Sequence, residues 1–420
     1  MRRMIAALKH PALAAGIAQL VALVIAQALV SPTALAAQSR RGEVVSAELL
    51  GSRTALEIDE GGKPLFETRP IPLMKHTVDL YRLRYLSTDF DGSSATITAQ
   101  LFVPRLPSGE PRPVLVFGSG TTGISDACAP SLEKTATHPW GYYKENMLAY
   151  AGLGFITVFP DYLGFDDPTR PQRYFSKIAE AHVMLDAARA VLAFLSEETA
   201  GTRAAPMVFV AGYSQGGHAA FAAADLHVSY APDVPLAGVM GFGATCDVTT
   251  LLKEGPAYAS YIIYTYSVMY GKAQVDPAEL LQEKWARSLA ADVERMCVDE
   301  FQLYYPSDGA KLYTPHFYQA LYENRLPETF PTVAARLAEN SSGLSGHGLP
   351  AIVFQGSEDF VIRTPSQDRF VAALRMAGSP VRYVLLNGSR HKQVRTDGFA
   401  ASVAWMELIA SGALPPSDGR

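Results

Sequence analysis

Apolar and polar positions alternate from Tyr81 to Val103. Tyr81, Leu83 and Tyr85 share one face, and Ala95, Ile97 and Ala99 follow before Leu101 and Val103. Asp91-Gly92 stands between the two runs. A period of two broken by a turn dipeptide predicts two antiparallel strands joined near Asp91. From Val114 the pattern changes. Val114-Leu115-Val116-Phe117 is a continuous apolar run that ends in glycines, and Phe155-Ile156-Thr157-Val158-Phe159 is another, ending at Pro160-Asp161. Tyr174 to Leu195 has helical spacing, with Ile178, Ala181, Met184, Leu185, Ala188, Val191 and Leu192 on one stripe. Met207-Val208-Phe209-Val210 predicts a third buried strand, Gly216 to Leu226 a second helix, and Leu236 to Met240 a fourth strand. Later strands are expected at Ala351 to Phe354 and Val381 to Leu386, with Gln367 to Met376 helical between them and Phe399 to Ile409 as a closing helix.

Short apolar strands alternating with helices predict an α/β fold, with a mostly parallel central sheet and helices on both faces. Residues 37–75 show no sustained period and read as an irregular lead-in. Between Asp247 and Gly348 the strand–helix alternation stops. That stretch is helix-prone and rich in tyrosine, from Tyr258 and Tyr261 to Tyr318 and Tyr322. It is expected to be a helical cap, 247–348, inserted between a first core part, 37–246, and a second, 349–420. Ordinary packing accounts for any single tyrosine there.

Composition narrows the class. A chain of 420 residues that is 48% hydrophobic and 18% charged, with 33 glycines and 28 prolines, is neither collagen-like, nor low-complexity, nor a polytopic membrane protein. The first residues stand apart. Arg2, Arg3 and Lys9 precede an apolar run from Pro11 to Val30, and Ala34-Leu35-Ala36 comes next. This order predicts a signal peptide over 1–36, cleaved after Ala36, and a secreted or periplasmic protein. An uncleaved anchor is the competing reading, because about twenty apolar residues also suffice to cross a bilayer. Cleavage makes the net charge of −5 more negative by three, which gives no reason to expect nucleic acid as a partner. The three cysteines, Cys128, Cys246 and Cys297, allow one disulfide and one leftover thiol, and their spacing does not choose among the three pairings. No Cys-x-x-Cys and no His-Glu-x-x-His occurs, so nothing argues for a metal.

Gly212-Tyr213-Ser214-Gln215-Gly216 is a Gly-x-Ser-x-Gly placed between an expected strand and an expected helix. Alone the pattern is weak; in that context it describes a nucleophile elbow, with serine at the tip of a strained turn. Serine needs a base, and the base needs an acid. On such a fold the chain order is serine, acid, histidine. Gln355-Gly356-Ser357-Glu358-Asp359 comes after a late strand, and Asn387-Gly388-Ser389-Arg390-His391 after the last. Asp359 is the expected acid, with Glu358 its rival, and His391 the expected base. His218 lies on the elbow helix and is read as packing. The oxyanion donors are expected to be the backbone N–H groups of Gln215 and of Thr121, with Thr122 as second choice. Gly118, Gly120 and Gly123 also match a dinucleotide fingerprint. The residues after Gly123 do not start a helix, however, and the first acid that ends a later strand, Asp161, comes well beyond the required spacing of about 20 residues. Asp161 is read as holding a loop rather than as binding substrate.

Four motifs in order resemble the secretory lipases, α/β-hydrolases of the fungal lipase A type with bacterial members. They are Gly120-Thr121-Thr122-Gly123, Asp126-Ala127-Cys128-Ala129-Pro130-Ser131, Pro160-Asp161-Tyr162-Leu163-Gly164 and Gly212-Tyr213-Ser214-Gln215-Gly216-Gly217. The resemblance runs from about Tyr81 to Ala410. It implies an exported enzyme that hydrolyses acyl esters beneath a helical cap, with Ser214, Asp359 and His391 as catalytic residues. It also implies a disulfide between Cys128 and Cys297, leaving Cys246 a buried thiol. Where many relatives carry His-Gly-Thr-Thr-Gly, this chain has Ser119 in place of the histidine. The function expected is a lipase or carboxylesterase acting through an acyl-enzyme on a small-molecule or lipid ester. It needs no cofactor and would meet a lipid interface transiently through the cap. The competing functions are a peptidase on the same fold, with Glu294, Asp299 and Glu300 to hold a substrate amine, and a non-catalytic binding protein.

Overall fold

The computed structural model describes residues 40–67, 69–106, 109–134, 137, 139–196 and 202–413. The expected leader, 1–36, and its cleavage point after Ala36 lie outside the described residues. No helix among the described residues is long and apolar enough to cross a membrane.

The strands are β1 (Val44–Arg53), β2 (Val78–Thr88), β3 (Ser94–Pro104), β4 (Arg112–Gly118), β5 (Ile156–Pro160), β6 (Leu163–Asp166), β7 (Ala204–Tyr213), β8 (Leu236–Phe242), β9 (Ala351–Gly356) and β10 (Val381–Leu386). Nine of them form one sheet in the order β1-β2-β3-β5-β4-β7-β8-β9-β10, and β6 stands outside it. β1, β2, β3 and β5 pair antiparallel; from β5 to β10 every pairing is parallel. The hairpin turns at Asp91-Gly92, and Tyr85 pairs with Ile97 across it. β5 and β9 are buried at every residue, as strands covered on both faces must be. The helices α1 (Ala55–Phe66) and α2 (Tyr143–Gly152) pack together with the closing helix Phe399–Ala410, where Phe66 and Tyr150 both meet the Phe399 ring. The helices α3 (Lys177–Phe194) and α4 (Gln215–Tyr230) pack on each other as a second group.

Two expectations need correction. Residues 37–75 are not an irregular lead-in, because they hold β1 and α1. β1 is an edge strand that pairs with β2 through its backbone and exposes most of its side chains, so it needs no apolar alternation. Gly61, Gly62 and Pro64 lie inside α1 and mask its periodicity. Its start is nevertheless marked by a capping box, in which Thr54 N donates to Glu57 Oε2 at 2.7 Å and Glu57 N donates to Thr54 Oγ1. The second correction concerns α3. It begins at Lys177 behind the Ser176 cap, so Tyr174 and Phe175 precede it and Ile178, in its first turn, is 40% exposed.

From Val248 to Glu339 the named elements are all helices, and they stand between β8 and β9 in the chain. They enclose a second hydrophobic core. Tyr261 stacks on Phe301 at 4.0 Å, and Phe301 on Tyr305 at 4.1 Å. Ile124, Tyr174, Phe175 and Ile362 enter that core from outside the segment. A disulfide joins Cys128 to Cys297, 169 residues apart. Cys246 is free and buried, and burial pushes its thiol well above the usual range. Closing so long a loop restricts the unfolded chain. Cys297→Ser should therefore lower the unfolding free energy by about 2–5 kcal/mol. In a denaturant titration, reductant should reproduce that loss in the parent protein and add nothing to the variant. Coincident transitions for parent and variant would contradict this.

Candidate active site

Ser214 sits between the end of β7 and the start of α4 with φ 54° and ψ −114°. That is a strained position for any residue but glycine, and the surrounding backbone shows why it holds. A Cβ on Gly212 would lie 2.0 Å from the Gly216 carbonyl oxygen, and a Cβ on Gly216 would lie 2.0 Å from the Gly118 carbonyl oxygen. The main chains of β4, β7 and α4 thus touch with no room for side chains between them. Ser214 N donates to Phe242 O at 2.9 Å, which ties the tip to β8.

The structure brings three of the expected residues into one chain of hydrogen bonds. Ser214 Oγ is 3.0 Å from His391 Nε2, and His391 Nδ1 is 2.7 Å from Asp359 Oδ2. The other carboxylate oxygen, Asp359 Oδ1, accepts from Val361 N and Ile362 N at 2.9 Å each. Glu358, the rival acid, is half-exposed and faces Arg390 at 3.7 Å, so it does not meet the imidazole. Gly243, at φ 53°, borders the pair. A Cβ there would lie 3.1 Å from His391 Nδ1 and 3.3 Å from Asp359 Oδ2. The Tyr213 ring packs against His391 at 5.0 Å. Asp359 and His391 are buried, while Ser214 is partly open. A carboxylate that accepts the Nδ1 proton leaves the Nε2 lone pair facing the hydroxyl. That is the arrangement required to take a proton from serine.

The glycine loop after β4 is held by three tyrosines that sequence reasoning did not single out. Tyr162 OH donates to Ser119 O at 2.7 Å, Gly120 N donates to Tyr143 OH at 2.8 Å, and Tyr174 OH shares a hydrogen bond of 2.7 Å with Thr121 Oγ1. Burial pushes all three phenols above their usual range, so they stay protonated. Thr122, the second choice beside Thr121, is buried, and its carbonyl accepts from Val298 N at 2.8 Å. Gln215 is the first residue of α4, where backbone N–H groups lack partners within the helix. After Gly123 the chain forms two short 3-10 turns, Asp126–Cys128 and Pro130–Leu132, rather than the helix a dinucleotide loop requires. His218 does not meet Ser214; it is fully buried and faces Glu180 and Asn340. Of the acidic residues considered for a substrate amine, Asp299 faces Lys392 at 3.7 Å. Among the described residues no group of three or more His, Cys, Asp or Glu side chains is arranged to hold a metal ion.

Residues 144–414 match the family model of the secretory lipases. The chain belongs to the secretory lipase family. A secreted triacylglycerol lipase, LIP7, of Malassezia globosa is 28% identical over 183 residues, which cover 41% of this chain and 36% of that protein. The match therefore spans about a third of the curated relative's length. Among solved structures, the rice cell wall degrading esterase LipA of Xanthomonas oryzae superposes with a TM-score of 0.73 at 19% identity, covering 89% of this chain and all of that one. Candida antarctica lipase A in its closed state superposes with a TM-score of 0.66 at 17% identity, covering 90% of this chain and 84% of its own. The fold is that of the α/β-hydrolases.

In this member of the secretory lipase family Asp161 holds a loop. Its Oδ1 accepts from Ser131 N at 2.8 Å and its Oδ2 from Ser131 Oγ at 2.6 Å, fixing the turn beside the disulfide to the end of β5. Burial raises its carboxyl to about 7, against the two hydrogen bonds from Ser131. The unfolded chain releases this proton above about pH 4, whereas the folded chain keeps it to about 7. Folding therefore takes up a proton in that window, and the protein loses stability as pH rises through it. Asp161→Asn keeps the shape and cannot ionise. Its stability relative to the parent protein should rise by up to about 4 kcal/mol between pH 4 and pH 8, measured by denaturant unfolding at each pH. A difference independent of pH would contradict this.

Proposed function

We propose that this protein is an exported serine ester hydrolase, a lipase or carboxylesterase. The observation that carries the proposal is the buried Asp359–His391 pair aligned on the hydroxyl of Ser214, in a chain of the secretory lipase family. Ser214 attacks the ester carbonyl while His391 Nε2 takes its proton. Asp359 orients the imidazole and stabilises its charged form. The negative oxygen of the tetrahedral intermediate is held by the N–H groups of Gln215 and Thr121. His391 then protonates the leaving alcohol. Water, activated by the same imidazole, releases the acid from the acyl-enzyme. No cofactor takes part.

The helical segment between β8 and β9 is the cap of the site. Its Tyr258 supports this reading. The residue is partly buried, burial and the nearby Asp359 push its phenol well above the usual range, and Gln302 donates to it at 2.5 Å. An aromatic wall of this kind suits an apolar acyl group. Family membership favours a lipid ester as substrate and export of the protein, consistent with the leader expected over 1–36 and with transient contact between the cap and a lipid surface.

The test is hydrolysis of p-nitrophenyl esters from acetate to palmitate. Ser214→Ala should lower kcat/KM by about 10⁴-fold or more on every ester the parent protein cleaves, and Asp359→Asn by about 10²–10⁴-fold. Glu358→Gln should stay within about threefold of the parent, because its side chain faces Arg390. The chain-length optimum then separates esterase from lipase. Parent activity no higher than that of Ser214→Ala on every ester would overturn the proposal, and aminoacyl amides would be the next substrates to try.

A further inference from the structure

A second buried chain of hydrogen bonds lies behind the elbow, and the acyl-transfer chemistry does not use it. Glu180, in the first turn of α3, is buried with its carboxylate fully engaged. Its Oε1 accepts from Gln215 Nε2 at 2.8 Å and from Phe175 N at 3.0 Å; its Oε2 is 2.5 Å from His218 Nδ1. The other ring nitrogen, His218 Nε2, is 2.6 Å from the carbonyl oxygen of Asn340. A carbonyl only accepts, so Nε2 carries a proton, and a single further proton lies between Nδ1 and the carboxylate. Ser342 Oγ donates to the carbonyl of His218 at 3.0 Å.

The positions of these groups give the chain its meaning. Gln215 and His218 are three residues apart and lie on one face of the first turn of α4. Glu180 grips both, which fixes the rotation of that turn about its axis and hence the direction of the Gln215 N–H. Phe175, held through its own N–H, directly follows Tyr174, whose hydroxyl holds Thr121. One segment at the start of α3 therefore braces both expected oxyanion donors. Asn340 and Ser342 lie where the helical segment returns toward β9, so the same brace connects the end of that segment to the elbow.

We propose that Glu180 and His218 are positioning residues for the reaction, holding the oxyanion donors of Gln215 and Thr121 in register and tying that register to the return of the helical cap. The proposal rests on the ester-hydrolase reading, and the test separates the two. A fluorophosphonate counts the active sites of each variant, kcat and KM are measured per counted site, and a trifluoromethyl ketone, which forms a tetrahedral adduct, reports transition-state binding. Glu180→Gln retains every hydrogen bond if His218 is neutral, with its amide oxygen accepting from Gln215 and Phe175 and its amide nitrogen donating to Nδ1. It should stay within about threefold of the parent protein. Glu180→Leu removes them all. Its kcat per site should fall by about 10–100-fold with KM nearly unchanged, and ketone binding should weaken by the same factor, somewhat less than for outright loss of an oxyanion donor. Gln215→Ala, which leaves the backbone N–H in place, should fall in the same direction by about 3–30-fold and decides the matter if Glu180→Leu does not fold. A kcat per counted site within threefold of the parent in Gln215→Ala and in folded Glu180→Leu would overturn the proposal, since a merely structural role lowers only the number of sites. A parent protein that neither reacts with the fluorophosphonate nor hydrolyses an ester would overturn the reading on which the proposal stands.

Discussion

The backbone-to-backbone contact of Gly118, Gly212 and Gly216 is the constraint on which the site depends. Ser214 adopts its left-handed conformation only because the chain before and after it can close against the end of β4 with no β-carbon in the way. That closure does several things at once. It lifts the hydroxyl clear of the sheet and starts α4 at Gln215. It also sets the glycine loop beside the same helix end. The strain is local, and parallel strands anchor it on both sides: β7 pairs with β4 and β8, and Ser214 N bonds into β8. His391 and Asp359 arrive from the ends of later strands in the same sheet. The register of a parallel sheet, rather than any local motif, therefore brings residues 177 positions apart to within hydrogen-bond distance.

The second dependence is between two cores. The helices from Val248 to Glu339 stack their aromatic rings into a core of their own, and four residues from outside the segment enter it. The attachments cluster near the elbow. Cys297 is bonded to Cys128, Val298 N donates to the carbonyl of Thr122, and Asn340 accepts from His218. A segment attached at these points constrains the glycine loop and the elbow helix together. Ser119 is buried, and Tyr143, Tyr162 and Tyr174 hold the glycine loop. Such anchoring is stiff, because a buried phenol keeps its proton and its single hydrogen bond is not exposed to competing water.

Much of this was legible in the sequence, for physical reasons that also mark the limits of legibility. Strands β2 to β5 and β7 to β10 announce themselves because burial on one face or both demands apolar residues at fixed spacing. Ser214, Asp359 and His391 were accessible because each follows a strand and a glycine-bearing turn in a required order. β1 escaped notice because an edge strand with exposed side chains is specified by backbone pairing, and α1 because two glycines and a proline hide a period that its capping box alone betrayed. The anchoring tyrosines and the Glu180–His218 pair were not legible. They join residues tens of positions apart through single hydrogen bonds, and no local spacing encodes such contacts. Tyr162 sat in a recognised motif without its role being visible, and the choice between Asp359 and Glu358 turned on a side-chain direction that only the folded loop defines.

The most direct test of the central claim is chemical identification of the nucleophile. The protein is treated with a fluorophosphonate, digested, and the modified peptide is sequenced by mass spectrometry, alongside the Gly243→Ala variant, in which the added β-carbon presses on His391 and Asp359. The account predicts one phosphonyl group per chain, carried by Ser214, and labelling of Gly243→Ala slowed by about tenfold or more. Labelling of a different residue, or a Ser214 that stays unmodified while the protein is folded, would contradict it.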